Sequence, residues 1–249
     1  MAVQLFNENC KVVLQDEDLP HVDTIITDPP YNIDYDHWDN NFDVAEIVKI
    51  IVDKELISEG TNIILFNGWS NVCDTIHSMQ TIDCILHDWI IWDRIKGRGT
   101  KNNLVSTRED ILWFTYKFDG NPTFNKMYSN IRKQTSGLRS NNPNRALSNV
   151  WTDIPPIVPW SQEHNEHPTQ KPLQLMERCV KLWSNPKDTV LDFTMGSGTT
   201  GVACKKLNRN FIGIELNKNY FNLAEQRINN TRTTGKLFSG DYNDEGKHT

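Results

Sequence analysis

A short apolar strand, a glycine-rich turn, a helix and a second apolar strand follow one another between residues 189 and 216. The strands are predicted at residues 189–193 and 211–216, and the helix between them runs through Leu207. Short apolar runs of this kind are typical of buried parallel strands. The turn, Gly-Ser-Gly-Thr-Thr at residues 196–200, leads into the helix, whose first N–H groups are free to meet a ligand. This succession predicts part of a doubly wound α/β sheet with a ligand site at the turn.

The same alternation recurs along most of the chain. Thr169 is expected to cap a helix that has Pro172 in its first turn. We therefore expect one domain, residues 1–249, with a doubly wound, mostly parallel sheet. Residues 94–160 are expected to form an inserted basic target-recognition region, and within them periodicity fades over residues 121–159. The further strands are predicted at residues 22–27, 61–66, 87–92 and 111–116, and the further helices at residues 43–56, 70–79, 172–183 and 220–228.

Glu215 ends the second of the two strands, nineteen residues after Gly196. In doubly wound folds an acid about 20 residues beyond a glycine turn hydrogen-bonds ribose hydroxyls. The pattern suits nucleotide and adenosyl cofactors alike. It lacks the G-x-G-x-x-G run of dinucleotide sites and the G-x-x-x-x-G-K-[ST] run of phosphate loops. Taken singly, the two features also fit a turn that binds nothing and a solvated acid at a strand end.

Asp28-Pro29-Pro30-Tyr31 directly follows the predicted strand 22–27, so it lies at a carboxyl end of the sheet, where such folds bind ligands. An exocyclic amino group on a nucleobase is a poor nucleophile because its lone pair is delocalised into the ring. A carboxylate and a backbone carbonyl that accept its two N–H groups favour the pyramidal nitrogen that attack requires. Prolines provide a rigid backbone, and a tyrosine ring can stack on a base flipped out of the duplex. A simple turn after a strand is the alternative for Asp-Pro-Pro alone.

The chain has a net charge of −6, but its basic residues are unevenly spread. Residues 94–145 contain eleven Lys and Arg against three acids, a local charge of +8. A phosphate backbone responds to such a local surface and not to the charge of the whole chain. For any one of these side chains, an ordinary solvated charge is the alternative. The residues expected to contact double-stranded DNA are Arg94, Lys96, Arg98, Lys101, Arg132, Lys133 and Arg139.

The five cysteines lie far apart and form no C-x-x-C pair, so we expect reduced thiols and no metal site. The apolar runs are too short to span a bilayer, and no basic-then-apolar leader opens the sequence. These features predict a cytoplasmic protein without a membrane or metal partner. The oligomeric state stays open between a monomer and a homodimer.

Taken in order, these motifs resemble the β-class amino-methyltransferases of bacteria and phages, in which DPPY precedes a D-x-x-x-G-S-G-T-T run. The resemblance is good over residues 4–35 and 165–229 and loose between them. It implies a class I methyltransferase fold and methyl transfer from S-adenosylmethionine to an exocyclic amino group of DNA, as in restriction–modification. The matching segments are NENCKVVLQDEDLPHVDTIITDPPYN at residues 7–32, HPTQKP at 167–172 and VLDFTMGSGTTGVACKKLNRNFIGIEL at 190–216.

The resemblance also implies roles for the matching residues. Asp28 would accept a hydrogen bond from the amino group, the carbonyl of Pro29 would assist it beside Pro30, and Tyr31 would stack on the base. The family usually has Pro at the position of Phe193, and Gly-Asp where this chain has Glu8-Asn9. The implied cofactor-binding set is Asn9, Thr169, Lys171, Asp192, Thr194, Met195, Gly196, Ser197, Gly198, Thr199 and Glu215.

Several neighbouring activities use related chemistry. Asp28 favours adenine N6 over cytosine N4, because the motif for cytosine N4 often begins with Ser. Methylation at cytosine C5 is disfavoured because it needs a Cys nucleophile, usually after Pro, and none of the cysteines follows Pro. RNA and protein-glutamine methyltransferases usually place the cofactor motif first. A catalytically idle DNA-binding module is the alternative from a different class, and the two intact half-sites disfavour it.

Overall fold

The computed structural model describes residues 1–31, 42–98, 101–102, 104–117, 121–129 and 145–233. The strands in these parts of the chain are β1 (Val3–Phe6), β2 (Thr24–Thr27), β3 (Asn62–Asn67), β4 (Cys84–Arg98), β5 (Ser106–Tyr116), β6 (Tyr128–Ser129), β7 (Arg145–Ala146), β8 (Val150–Trp151), β9 (Thr189–Asp192) and β10 (Asn210–Ile214). The helices are α1 (Cys10–Asp16), α2 (Val44–Asp53), α3 (Val72–Gln80), α4 (Leu173–Trp183), α5 (Thr199–Lys206) and α6 (Lys218–Asn230).

Eight of the strands form one sheet in the order β1-β10-β9-β2-β3-β5-β4-β8. Neighbouring strands run parallel except at β5, which is antiparallel to both β3 and β4. Strands β6 and β7 pair with each other in a separate antiparallel ladder. The expected doubly wound, mostly parallel sheet is confirmed, with a single reversed strand inside it.

Different helices cover the two faces of the sheet. Ile25 and Ile63 pack in a core with residues of α1, α2 and α3, whereas Ile26 and Ile64 pack with residues of α4, α5 and α6. Successive side chains of a strand point to opposite faces, so neighbouring apolar residues in β2 and β3 supply both cores. This is why the central strands appear in the sequence as unbroken apolar runs, and why every residue of β3 is buried.

The direction in which the chain winds reverses between β2 and β9. From β2 the chain proceeds to β3 on one side, and from β9 it proceeds to β10 on the other. These two strands pair in parallel, so their carboxyl ends lie at the same edge of the sheet. Doubly wound sheets bind ligands in the crevice at such a reversal. Asp28 follows β2 and Asp192 ends β9, so the two motifs predicted separately meet at this edge, which we call the catalytic edge.

Helix α4 begins differently from the prediction. Pro172 is its N-cap residue, and Thr169 lies three residues earlier in an exposed turn, so the expected Thr169 cap is wrong. The first free N–H of the helix, that of Leu173, is instead bound by the carboxylate of Glu163. A side chain ten residues upstream takes the place of a local cap because the intervening loop folds back over the start of the helix.

Strands β5 and β8 fall within residues 94–160 but belong to the main sheet. Strands β4 and β5 form a long hairpin, paired from Cys84 opposite Tyr116 to Arg98 opposite Ser106, with register shifts after Leu86 and after Asp93. The boundaries of an inserted target-recognition region therefore stay a prediction.

Four of the five cysteines are buried, and Cys73 is exposed. Across the described ranges, every helix is too short or too polar to cross a membrane. In the same part of the chain, His, Cys, Asp and Glu side chains nowhere gather in a group of three that could hold a metal ion.

Candidate active site

A cavity of about 440 Å³ opens at the catalytic edge. It is bordered by the loop after β2, the HPTQKP segment and the turns after β9 and β10. Of the residues predicted for catalysis or cofactor binding, Pro29, Tyr31 and Gly198 are not on its wall. Those that line it are Asn9, Asp28, Pro30, Thr169, Lys171, Asp192, Thr194, Met195, Gly196, Ser197, Thr199 and Glu215.

The glycine-rich turn and Glu215 hold each other in place. One carboxylate oxygen of Glu215 accepts a hydrogen bond from the N–H of Gly196 at 2.9 Å, and the other accepts from the N–H of Asn217 at 2.8 Å. Gly196 has φ 51°, and a Cβ there would lie 2.8 Å from Nε2 of His167. Both observations favour glycine at this position, and glycine brings bare backbone to the wall of the cavity.

Gly198 serves packing rather than the cavity. It is the N-cap residue of α5 with φ 76°, and a Cβ there would lie 2.7 Å from the Cβ of Ala224 on α6. The two helices can therefore approach closely only with glycine at this position. Gly198 therefore supports the turn through its packing against α6 and not through a contact with the cavity.

Asp192 joins three parts of the fold at the wall of the cavity. Its carboxylate accepts hydrogen bonds from the hydroxyl of Thr27 at 2.8 Å and from that of Thr200 at 2.7 Å. The side chain is buried, and this burial raises the pKa of Asp192 to about 7. Strands β2 and β9 and the first turn of α5 are thus joined at the point where the sheet winding reverses.

Arg227, on α6, is a site residue that sequence reasoning missed. Its guanidinium donates to the backbone carbonyl of Ser197, to the Ser197 hydroxyl at 2.9 Å and to the Thr199 hydroxyl at 3.2 Å. Helix α6 carries many other polar side chains, so the sequence gives no signal that distinguishes Arg227 from them. Arg227 holds the glycine-rich turn at Ser197 and Thr199, whereas Glu215 holds it at Gly196.

Asp28 lies in a cluster of four polar side chains, here called the carboxylate cluster: Asp28, Tyr31, Glu109 and Lys171. The Tyr31 hydroxyl lies 2.6 Å from Oδ1 of Asp28 and 2.7 Å from Oε1 of Glu109. The Lys171 ammonium donates to Oδ2 of Asp28 and lies 2.9 Å from Oε1 of Glu109. Glu109 comes from β5 and was not predicted as a site residue.

Burial and mutual charge shift the pKa values in this cluster. Burial raises the pKa of Asp28, and repulsion by Glu109 adds to the rise, while Lys171 opposes it. Burial alone would raise the pKa of Glu109, but Lys171 and Tyr31 outweigh it and the net shift is downward. Burial would lower the pKa of Lys171, yet the two carboxylates raise it. Lys171 is therefore held as an ammonium ion between two acids.

Three predicted cofactor residues have surroundings that the sequence did not indicate. Lys171 lines the cavity, but its ammonium group points to the carboxylate cluster. The side chain of Asn9 lines the cavity and also caps α1, accepting from the N–H of Lys11 at 2.9 Å. Thr169 is on the wall and exposed. Next to it, the ring of His167 packs against Tyr220, with centroids 4.4 Å apart.

The predicted DNA contacts are only partly covered by the structure. Nε of Arg94 is buried, and no hydrogen-bond acceptor for it lies in the described ranges. Lys101 is exposed. For Lys96 and Arg98 only the backbone, in β4, is described. The predicted contacts that lie outside the described residues are Arg132, Lys133 and Arg139.

The chain is similar in sequence to known DNA methylases. The sequence profile of the N6/N4 DNA methylases matches residues 22–226. The type II methyltransferase M1.MboII of Moraxella bovis is 32% identical over 254 residues, which cover 89% of this chain and 94% of that protein. The DNA adenine methyltransferase YhdJ of Escherichia coli is 31% identical over 229 residues, covering 83% of this chain and 76% of that protein.

Solved structures agree with the sequence comparison. The crystal structure of an M1.HpyAVI–SAM complex superposes with a TM-score of 0.67 at 30% identity, covering 90% of this chain and 99% of that one. The similarity therefore extends over nearly the whole of both chains and includes the catalytic edge.

Proposed function

The chain belongs to the N6/N4 family of DNA methylases, and from this premise we propose that it transfers a methyl group from S-adenosylmethionine to adenine N6 in double-stranded DNA. Two relatives support the finer parts of this proposal. YhdJ is named for adenine methylation, and M1.HpyAVI has been solved with S-adenosylmethionine.

One observation carries the proposal: Asp28 and Glu215 face the same cavity. The two residues come from different halves of the sequence. In this proposal Asp28 acts on the amino group of the base and Glu215 binds the ribose of the cofactor. Methyl transfer between two bound reactants mainly requires that they be held in line at short distance. A single cavity with one group for each reactant meets that requirement, whereas an idle DNA-binding module has no need of the pair.

The residues of the cavity fit an adenosyl cofactor. Glu215 offers carboxylate oxygens to ribose hydroxyls, and its burial raises its pKa while three backbone N–H groups oppose the rise. The bare backbone at Gly196 allows close approach of the ligand. Phe193 and Met195 contribute apolar wall, which suits the adenine ring and the methionine chain. Ser197 and Thr199, held by Arg227, complete the side nearest the turn.

The cofactor, once bound, supplies a methyl group that its sulfonium charge has already activated. The protein's own residues then act on the base. Asp28 accepts one N–H of the exocyclic amino group and the carbonyl of Pro29 accepts the other, so the nitrogen lone pair is directed at the methyl group. Pro30 fixes the backbone of this turn. The ring of Tyr31, whose orientation is set by its hydroxyl contacts, stacks on the flipped base.

DNA itself is held by the basic part of the chain, residues 94–145. Lys101 and its basic neighbours lie near the tip of the β4–β5 hairpin, which points to the catalytic edge. A flipped base would enter the cavity from this side. In this proposal phosphate contacts set the position of the duplex and a smaller number of base contacts select the target.

The proposal is tested by identifying the product. Purified protein, S-adenosylmethionine with a labelled methyl group and genomic DNA are incubated, and the DNA is digested to nucleosides for mass spectrometry. We expect the label in N6-methyl-2′-deoxyadenosine. Label in N4-methyl-2′-deoxycytidine would instead support cytosine N4 methylation, and no label in either deoxynucleoside would contradict the proposal.

Replacing Glu215 by Ala is expected to weaken cofactor binding by about 1–3 kcal/mol, because hydrogen bonds to a charged group are worth about that much. Calorimetric titration with S-adenosylmethionine measures the effect. Glu225→Ala, an exposed acid on α6, is the matched control and should bind the cofactor normally. An unchanged dissociation constant in Glu215→Ala would contradict the ribose assignment.

A further inference from the structure

Glu109 belongs to neither of the sequence motifs, yet it lies in the carboxylate cluster. It is part of β5, where it pairs with Trp92 of β4, and its side chain is only 9% exposed. Burying a carboxylate is unfavourable unless it is paired and hydrogen-bonded. Glu109 has two partners, Tyr31 and Lys171, and each of these also contacts Asp28.

Two bridges therefore join Glu109 to Asp28. A tyrosine hydroxyl has a single proton, so Tyr31 can donate to only one of the two carboxylates at a time. The three ammonium protons of Lys171 can serve both acids at once. In this arrangement neither Tyr31 nor Lys171 can change its position without altering the contacts of both carboxylates.

We propose that Glu109 is a positioning residue for methyl transfer: through Lys171 and Tyr31 it holds the Asp28 carboxylate in place and keeps it a strong proton acceptor. The inference rests on the proposed function and deepens it. When the nitrogen–carbon bond forms and the sulfur–carbon bond breaks, the bonding electron pair leaves with sulfur. The amino nitrogen then releases one proton, and that proton goes to Asp28.

The charges around Asp28 support this role. Glu109 repels negative charge on Asp28, which increases its affinity for a proton, and Lys171 limits the increase. Arg94 faces Glu109 from β4 and favours its ionised form. Asp192 is close enough to feel the charge of Asp28, and His167 is close enough to feel the charge of Lys171. Of these groups, Glu109 is the acid linked to Asp28 through shared hydrogen-bond partners.

Glu109→Gln tests the inference because it keeps the shape and removes the charge. We expect kcat to fall about 10- to 100-fold, less than the roughly 10²- to 10⁴-fold that a proton-transfer group itself contributes, with little change in the KM for DNA. Asp28 should lose protons more readily, so the acid limb of the pH–kcat/KM profile should move to lower pH. A second readout uses the protein without cofactor: the side-chain carboxyl ¹³C signal of Asp28, assigned by its loss in Asp28→Asn, should titrate at lower pH.

Asp110→Asn is the matched control. Asp110 is the next residue on β5, its carboxylate is also buried, and it contacts Trp89 and Arg108 away from the carboxylate cluster. We expect this variant to keep the wild-type kcat and pH profile. Glu109→Asp adds a second test, since it retains the charge with a shorter reach: its acid limb should stay closer to wild type although kcat falls.

Three results would overturn the inference. The first is a Glu109→Gln variant with wild-type kcat and a wild-type acid limb of the pH profile, and the second is an Asp28 carboxyl signal that titrates at the same pH in Glu109→Gln as in wild type. The third is a loss of kcat in Asp110→Asn as large as that in Glu109→Gln. Should Glu109→Gln fail to fold, Glu109→Asp decides, and wild-type kcat in that variant would refute the role. Wild-type protein that methylates no DNA would instead contradict the proposed function, so the two failures can be told apart.

Discussion

Asp28→Asn is expected to lower kcat for DNA methylation by about 10²- to 10⁴-fold, the range over which positioned acid and base groups act. The amide fills the same volume, but it cannot take up the proton that the amino nitrogen releases. It also presents an N–H group to one of the donors that now bind Asp28, the Tyr31 hydroxyl or the Lys171 ammonium. Single-turnover methylation assays with labelled cofactor measure the loss directly.

Cofactor binding should survive this change almost intact, because in the proposed mechanism Asp28 acts on the base and Glu215 holds the ribose. Calorimetric titration of Asp28→Asn with S-adenosylmethionine provides this comparison. Asp74→Asn, an exposed acid on α3, serves as the control for loss of one negative charge. Near-native turnover in Asp28→Asn would refute the assigned mechanism. Loss of cofactor affinity in this variant would show that Asp28 binds the cofactor and not the base.

Lys171→Met is expected to destabilise the protein by about 3–5 kcal/mol, as found when one partner of a buried ion pair is removed. The Lys171 side chain is 9% exposed and its ammonium group is shared by Asp28 and Glu109, so its loss leaves two adjacent buried carboxylates without a cation. Thermal unfolding should show a melting temperature lower by on the order of 10 °C. Methylation activity should be lost as well.

The size of this destabilisation should depend on pH. Without Lys171 the folded-state pKa values of Asp28 and Glu109 are expected to rise above their unfolded-state values. Stability is then retained where both acids are protonated and is lost as pH rises through the raised pKa values. The deficit relative to wild type should be smaller at about pH 5 than at about pH 8.

Lys181→Met is the control for this variant. Its side chain is 45% exposed and its contact with Glu177 is a surface pair, worth less than about 1 kcal/mol. Equal stability of the two variants at all pH values would contradict the description of Lys171 as a buried cation between two acids.

The residues that follow parallel strands could be predicted from the sequence. Asp28 comes directly after β2, and Gly196 and Glu215 come after β9 and β10, at the edge where the carboxyl ends of parallel strands meet. Short apolar runs are enough to locate those strands, so the acids beside them could be assigned without coordinates. The expected class of fold follows from the same alternation of strands and helices.

Glu109 could not be found in this way, for a physical reason. Strand β5 runs against its neighbours, so its amino-terminal half lies at the catalytic edge, where parallel strands place the residues that follow them. The predicted strand began at residue 111 because the preceding Thr-Arg-Glu-Asp is polar, whereas the observed strand begins at Ser106. Burial of Glu109 depends on partners that are distant in sequence, and local pattern has no access to them.

The contacts of Arg227 and of the Lys171 ammonium group could not be predicted from the sequence for a related reason. The contact of Arg227 with Ser197 depends on how closely α5 and α6 approach at Gly198, which is a matter of tertiary packing. Lys171 is predicted from the sequence as a cofactor-binding residue, but the direction of its ammonium group is set by two acids, from β5 and from the loop after β2. A long flexible side chain gives little indication in the sequence of which partner it will meet.

Because β5 is reversed, sequence changes in the loop between β4 and β5 can occur independently of changes in the carboxylate cluster. Because β4 and β5 form a hairpin, the connection between Arg98 and Ser106 leaves the sheet and returns to it at the same edge. Lengthening a surface loop adds little closure entropy, so this connection can be exchanged while the paired strands keep their register. Glu109, three residues inside β5, would stay on Tyr31 and Lys171 through such exchanges. A change in this connection therefore need not disturb the contacts of the carboxylate cluster.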